Sequence, residues 1–148
     1  MTDFKRGDVV LVAFPFTDLS TTKTRPALVV SSDSFHRSGL DVILVGITSQ
    51  IAGKNSSTDV LLSLEDQHYA GLPKPSMVRM GKIVTLDRRL IRKRLGQIPE
   101  STLSKLTSLL HQLLSAEPSG EGSYRVQEPP AVYKTGRHTT PRVKKKPK

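Results

Sequence analysis

The feature that most limits the fold of this chain is a succession of short β-branched apolar runs that ends in one leucine-periodic stretch. "DVVLVAF" stops at Pro15, "PALVVSS" and "DVILVGIT" follow, and "TDVLLSL" and "SMVRMGKIVTL" come after them. Val and Ile are stiff at χ1 and suit a pleated surface, and each run is too short for an independent helix. About five or six strands at a turn spacing of roughly ten residues predict a compact all-β barrel or sandwich. The last run is expected to bend or divide at Gly81.

In "IPESTLSKLTSLLHQLLS" the period changes. Leu103, Leu106, Leu109, Leu110, Leu113 and Leu114 recur at spacings of three and four, which predicts an amphipathic C-terminal helix. Pro99 suits its first turn and Glu100 complements its dipole. The leucines need a cover, either the barrel's own face or a partner subunit.

A chain of 148 residues has room for one core, so a single domain is expected over residues 1–115. The remainder, 116–148, is rich in Pro and Gly and poor in branched apolar residues, and is expected to be a disordered basic tail. It holds about half of the net charge of +10 and is either a solvated tail or an arm that attracts nucleic acid. That charge and a pI of about 10.2 favour polyanionic partners. No run approaches the roughly 20 apolar residues of a membrane span. "VVLVAFPF" lies between Asp8 and a stretch with no small-residue cleavage pattern, so it reads as a strand and not a signal peptide. The absence of cysteine removes disulfides and thiolate chemistry and suits a reducing compartment. A cytoplasmic protein with no membrane partner is expected.

Several chemistries drop out. His36, His68, His111 and His138 are far apart and form no ligand spacing, so no metal is expected. There is no Gly-x-Ser-x-Gly elbow, no Walker loop and no dinucleotide fingerprint, so no cofactor is expected either. What remains is a set of cations and hydroxyls at strand ends: Lys23 and Arg25, then Thr48, Ser49 and Gln50, then Arg79 and Lys82. Arginine presents a fixed fork of donors matched to phosphate oxygens, and a hydroxyl can bond the same group. The polar stretch from Thr17 to Thr24 lacks packing residues and is expected to be a mobile loop able to close over a bound chain.

Taken together, "GDVVLVAFP", "KTRPALVVSS", "VGITS", "VRMGKIVTLDRRLI" and the leucine helix resemble the MazF/PemK family of toxins from type II toxin-antitoxin pairs, from about Lys5 to Ser115. The resemblance implies a mainly β, SH3-like small barrel of the CcdB/PemK type with a C-terminal amphipathic helix. It also implies a homodimer, a cognate antitoxin whose acidic segment covers the basic groove, and metal-independent cleavage of single-stranded RNA through the 2′-hydroxyl. Arg25 in "TRP" matches the family's catalytic arginine and Thr48 in "ITS" its second catalytic position. Ser20, Lys23, Ser49, Gln50, Arg79 and Lys82 are the expected RNA contacts.

The chain departs from the pattern in places. Gly81 stands where some relatives carry a carboxylate, Leu19 and Ser20 where others carry a histidine, and Val84 where many are basic. His36 is the nearest titratable candidate for a proton acceptor, with a plain loop histidine as its alternative. Two rival functions fit the composition: a non-catalytic nucleic-acid-binding or gyrase-inhibiting toxin on the same barrel, and a DNA-binding protein acting through its tail.

Overall fold

A computed structural model describes residues 3–53 and 56–115. The expected basic tail lies outside the described residues. The strands are β1 (Asp8–Pro15), β2 (Thr22–Val29), β3 (Asp41–Thr48), β4 (Asp59–Leu61), β5 (Met77–Asp87) and β6 (Ile91–Gln97). The helices are α1 (Asp33–Arg37), α2 (Leu64–Tyr69) and α3 (Glu100–Leu114), with a 3₁₀ turn at Arg88–Leu90. The architecture is therefore mainly β with a C-terminal helix, as the sequence predicts.

Every pairing is antiparallel, and the sheet runs β4-β5-β3-β2-β1-β6. The edge strands β4 and β6 do not pair with each other. The sheet nevertheless curls. Ile91 of β6 packs in one cluster with Val42 and Leu44 of β3, three strands away in the order, together with Val10, Val12, Phe14, Ala27 and Val29. The alternate residues Val9, Leu28, Val45, Ile47, Val78 and Met80 face the other way, into a second cluster closed by Leu103 and Leu106 of α3. Both faces of the central strands are thus dry, which is why these runs are nearly continuously apolar.

The chain's own sheet covers the first turns of α3: Leu103 and Leu106 are buried, whereas Leu113 and Leu114 are exposed. Burial of a leucine is worth roughly 1.5–3 kcal/mol, and these two, with the partly buried Leu109 and Leu110, dock the helix. Pro99 stands one position earlier than expected, as the N-cap, where its carbonyl accepts from the N–H of Leu103 at 2.9 Å.

Two glycines draw the ends of the sheet together. A Cβ on Gly71, just after α2, would lie 2.1 Å from the carbonyl oxygen of Leu95, and one on Gly96 would lie 2.3 Å from that of Tyr69. Gly71 also has φ +71, which favours glycine. The segment after β4 therefore crosses β6 backbone to backbone. Close by, the carboxylate of Asp8, 1% exposed, accepts from Lys5 N–H (2.9 Å) and Gln97 Nε2 (3.3 Å) and pairs with Arg94 Nε (3.2 Å).

β5 is one strand with a bulge where the sequence places a bend. Val45 pairs with Ile83 and Gly46 with Arg79, so Met80, Gly81 and Lys82 form the excess. β6 is a strand that the sequence reading did not include, because Arg92, Lys93 and Arg94 interrupt its apolar pattern; it is an edge strand, where cations are at home. The bounds of the expected loop are also corrected. Thr22 to Thr24 belong to β2 and pair with Ala13 to Pro15, leaving only Phe16–Thr21 as the turn. Thr22, Lys23 and Thr24 are themselves exposed, so β-propensity rather than packing places these threonines in the strand.

At the β5–β6 junction the Asp87 carboxylate takes hydrogen bonds from the Arg89 side chain (2.7 and 3.0 Å) and from its backbone N–H (2.8 Å), which hold its pKa at about 2. A depressed folded-state pKa means that this stabilisation is present above the ordinary value of 3.8 and fades as pH falls from there through about 2. In Arg89→Ala the Asp87 titration, followed by carboxyl-carbon NMR, should move up toward the ordinary value. Gly96→Ala should destabilise the protein by about 3 kcal/mol in urea unfolding, since the intruding methyl meets backbone that has no room to shift.

Candidate functional site

Hydrogen bonding between β2 and β3 runs from Val29↔Leu44 to Ala27↔Gly46 and stops. The next residue of β2 is Pro26, which has no N–H to offer a neighbouring strand. Beyond it β2 stays paired with β1 while β3 stays paired with β5, through Val12↔Arg25 and Thr48↔Met77. The two ribbons part, and a groove of about 450 Å³ opens between them.

Alternation puts the same face of each strand into this groove. Phe14, Arg25, Gly46 and Thr48 lie on the face that carries Val12, Ala27 and Leu44 deeper in the sheet, and Arg79 pairs with Gly46. Gly46 is needed for the floor. A Cβ there would sit 3.3 Å from Phe14 Cζ and 3.5 Å from Lys82 Cβ. Lys82 reaches across from the bulge of β5, and its Nζ donates to Thr17 Oγ1 on the hairpin turn.

Three cations, Arg25, Arg79 and Lys82, therefore line one groove together with Thr48, beside the rings of Phe14 and Phe16. The Arg25 guanidinium lies 6.0 Å from the Phe16 ring centroid, which limits its swing. Thr48 is nearly buried, and its Oγ1 accepts from the N–H of Gln50 at 3.1 Å. With that lone pair occupied, the hydroxyl proton is free to donate to an anion in the groove.

Of the residues expected from sequence, the structure brings Arg25, Thr48, Arg79 and Lys82 together. Lys23 shares the face of Arg25 through its pairing with Phe14, but it is exposed and does not line the groove. Ser49 and Gln50 follow Thr48 at the rim, and the part of Gln50 engaged with the site is its backbone N–H. Ser20 is not a lining residue. Its hydroxyl (2.8 Å) and N–H (3.0 Å) both donate to Asp18 Oδ1, so it shapes the turn.

His36 is not brought to these groups. It is buried at α1, lines a separate cavity of about 700 Å³, and bonds Ser31 Oγ through Nε2 at 2.6 Å; Ser31 Oγ in turn accepts from the N–H of Ile43. The alternative of a plain loop histidine does not describe it either, since His36 is buried within α1. Sequence reasoning did not single out Phe14, Phe16 or Gly46 as site residues, and it included Thr17 and Asp18 only within the loop expected to close over a bound chain. The pairing of β1 with β2 is the signal that finds Phe14, because it shares the face of Arg25.

Asp18 is the one carboxylate of the lining among the described residues. The Ser20 N–H and hydroxyl hold its pKa below the usual range, so it is a weak proton acceptor near neutrality. Among the described residues no group of three His, Cys, Asp or Glu converges to hold a metal. No helix among them is long and apolar enough to cross a membrane.

A small curled antiparallel sheet that opens a cationic groove bearing one oriented hydroxyl defines an anion-accepting β protein. The chain belongs to the family of PemK-like, MazF-like toxins of type II toxin-antitoxin systems, whose profile matches residues 5–114. Two relatives named as endoribonucleases, MazF2 of Mycobacterium bovis and MazF6 of Mycobacterium tuberculosis, are each 31% identical over 93 residues, covering 62% of this chain and 79% of theirs. The fold is similar to that of an endoribonuclease from Mycobacterial species (TM-score 0.60, 24% identity, covering 77% of this chain and 93% of that one). It is also similar to MazF from Deinococcus radiodurans (TM-score 0.62, 22% identity, 77% and 98%).

Ser20→Ala should raise the Asp18 carboxyl titration toward its ordinary value. An unmoved midpoint in carboxyl-carbon NMR would show that another group holds it down.

Proposed function

We propose that the chain is a toxin endoribonuclease that cuts single-stranded RNA without a metal, using the RNA's own 2′-hydroxyl as nucleophile. The observation that carries this reading is the convergence of Arg25, Arg79, Lys82 and the Thr48 hydroxyl on one groove in a chain of this family. The 2′-oxygen forms a bond to phosphorus, the bond from phosphorus to the 5′-oxygen breaks, and the 2′-proton passes to solvent while the departing oxygen gains one. The products end in 2′,3′-cyclic phosphate and 5′-hydroxyl. Charge gathers on the non-bridging oxygens of the crowded phosphorus, so fixed donors facing that point carry the acceleration. Arg25 supplies a guanidinium held by a strand and an aromatic ring, and Thr48 supplies the neutral donor.

The same reading takes the curled sheet as the family's SH3-like small barrel, takes residues 1–115 as the toxin domain with 116–148 as an appended tail, and puts the protein in the cytoplasm. It takes the working unit as a homodimer and the controlling partner as a cognate antitoxin with an acidic segment. A mycobacterial endoribonuclease solved with its cognate antitoxin and a MazE-MazF structure from Deinococcus radiodurans have the same fold, at 23% identity each. The net charge of +10 supports both an RNA substrate and an acidic partner. The gyrase-directed and tail-directed alternatives have no comparable support.

Purified protein with single-stranded RNA and excess chelator should give cyclic-phosphate ends, and a strand lacking 2′-hydroxyls should survive. Arg25→Ala should slow cutting on the order of a hundredfold at unchanged thermal stability. Equal cutting by that variant would defeat the assignment.

A further inference from the structure

Arg79 enters the groove from β5, and across the strand pair stands a carboxylate that the groove does not contain. Asp59 of β4 is in register with Arg79, and its Oδ1 lies 3.5 Å from Arg79 Nε. The two side chains differ in their access to water. The Asp59 side chain is 3% exposed and that of Arg79 39% exposed, so the carboxylate is screened from water while its arginine is not. The Nε of Arg79 is itself buried and has no hydrogen-bond partner among the described residues. The part of the guanidinium left open to the groove is therefore its terminal end.

Asp59 is held in turn. Its Oδ2 accepts from the N–H of Ser56 at 3.0 Å and its own N–H donates to the Ser56 carbonyl at 3.1 Å, while Ser56 Oγ bonds Thr58 Oγ1 at 2.6 Å. A buried charge is costly unless paired, and the Arg79 guanidinium is the pair it has. On the other side of β5 Arg79 stands opposite Gly46 of β3.

We propose that Asp59 is a positioning residue that clamps Arg79 by its Nε side and so aims the terminal nitrogens at a phosphodiester in the groove. This rests on the reading of the groove as an RNA-cleaving site. A guanidinium aimed before substrate arrives loses less freedom on binding and keeps its geometry in the transition state.

The test compares the unaltered protein, Asp59→Asn, Arg79→Ala and the double variant on one single-stranded RNA. Asparagine retains an acceptor for the Ser56 N–H but removes the charge that faces Nε. Asp59→Asn should lower kcat by roughly tenfold to a hundredfold with KM within about threefold, since a misaimed donor chiefly harms the transition state. The double variant should cut within about twofold of Arg79→Ala alone, because a clamp has no effect once its arginine is gone. Wild-type rates in Asp59→Asn, or losses that multiply in the double variant, would overturn the proposal. Should Asp59→Asn not fold, hydrogen exchange of the Arg79 Nε–H is compared between the unaltered protein and Asp59→Ser, with burial common to both: roughly tenfold faster exchange in the variant supports the clamp, and equal rates refute it. If the unaltered protein leaves RNA intact while Arg79 is protected, the functional reading fails and the clamp loses its role with it.

Discussion

The close crossing of the segment after α2 over β6 is the contact on which the rest of this molecule depends. Gly71 and Gly96 bring carbonyl oxygens to within reach of each other's Cα, a distance that no side chain at either position would permit. The strands at the two edges of the sheet are not hydrogen-bonded, so this crossing is what ties the far side of the sheet to β6. Curling the sheet gives its inner face something to pack on, namely itself. Ile91, Val42 and Leu44 then belong to one buried cluster, and Phe14 packs against Gly46 at its rim.

From that rim the site follows by geometry. β2 and β3 cooperate as far as Ala27 and Gly46 and then part at a proline. The residues just past the parting are those whose side chains would otherwise sit on a continuous sheet face, and here they line an opening. Arg25 and Thr48 occupy equivalent places on the two sides of it. The core holds their backbones rigid, while their polar ends gain a cavity that water or an anion can fill. Rigid strand positions are better suited than a loop to holding donors at a charge that develops during reaction.

The strands β1, β3 and β5 and helix α3 were legible in the sequence because β-branched runs and leucines at spacings of three and four report burial directly. Gly81 was legible as a break in β5, and the structure makes it part of a bulge. Arg25 and Thr48 were singled out through resemblance, and the structure brings both to the groove. β6 was not legible, since an edge strand with Arg92, Lys93 and Arg94 has little apolar pattern to display. The β2 strand starts earlier than its apolar run shows, because Thr22, Lys23 and Thr24 are exposed and carry no apolar pattern. Ser20 and His36 looked like ligand-facing groups, and each instead satisfies a nearby protein group: Asp18 in one case, Ser31 in the other.

By itself the sequence determined that this chain makes a small basic β protein with a terminal helix, and which arginine and threonine to examine. Periodicity and charge are local, and burial writes them into the order of residues. The tertiary structure alone decided that Arg79 and Lys82, and not Lys23 or Ser20, share the groove of Arg25, that Gly46 leaves room there for Phe14 and Lys82, and that Asp59 stands behind Arg79. Those facts depend on strand register and on a bulge, and a change of one residue in register would turn each of these side chains to the opposite face.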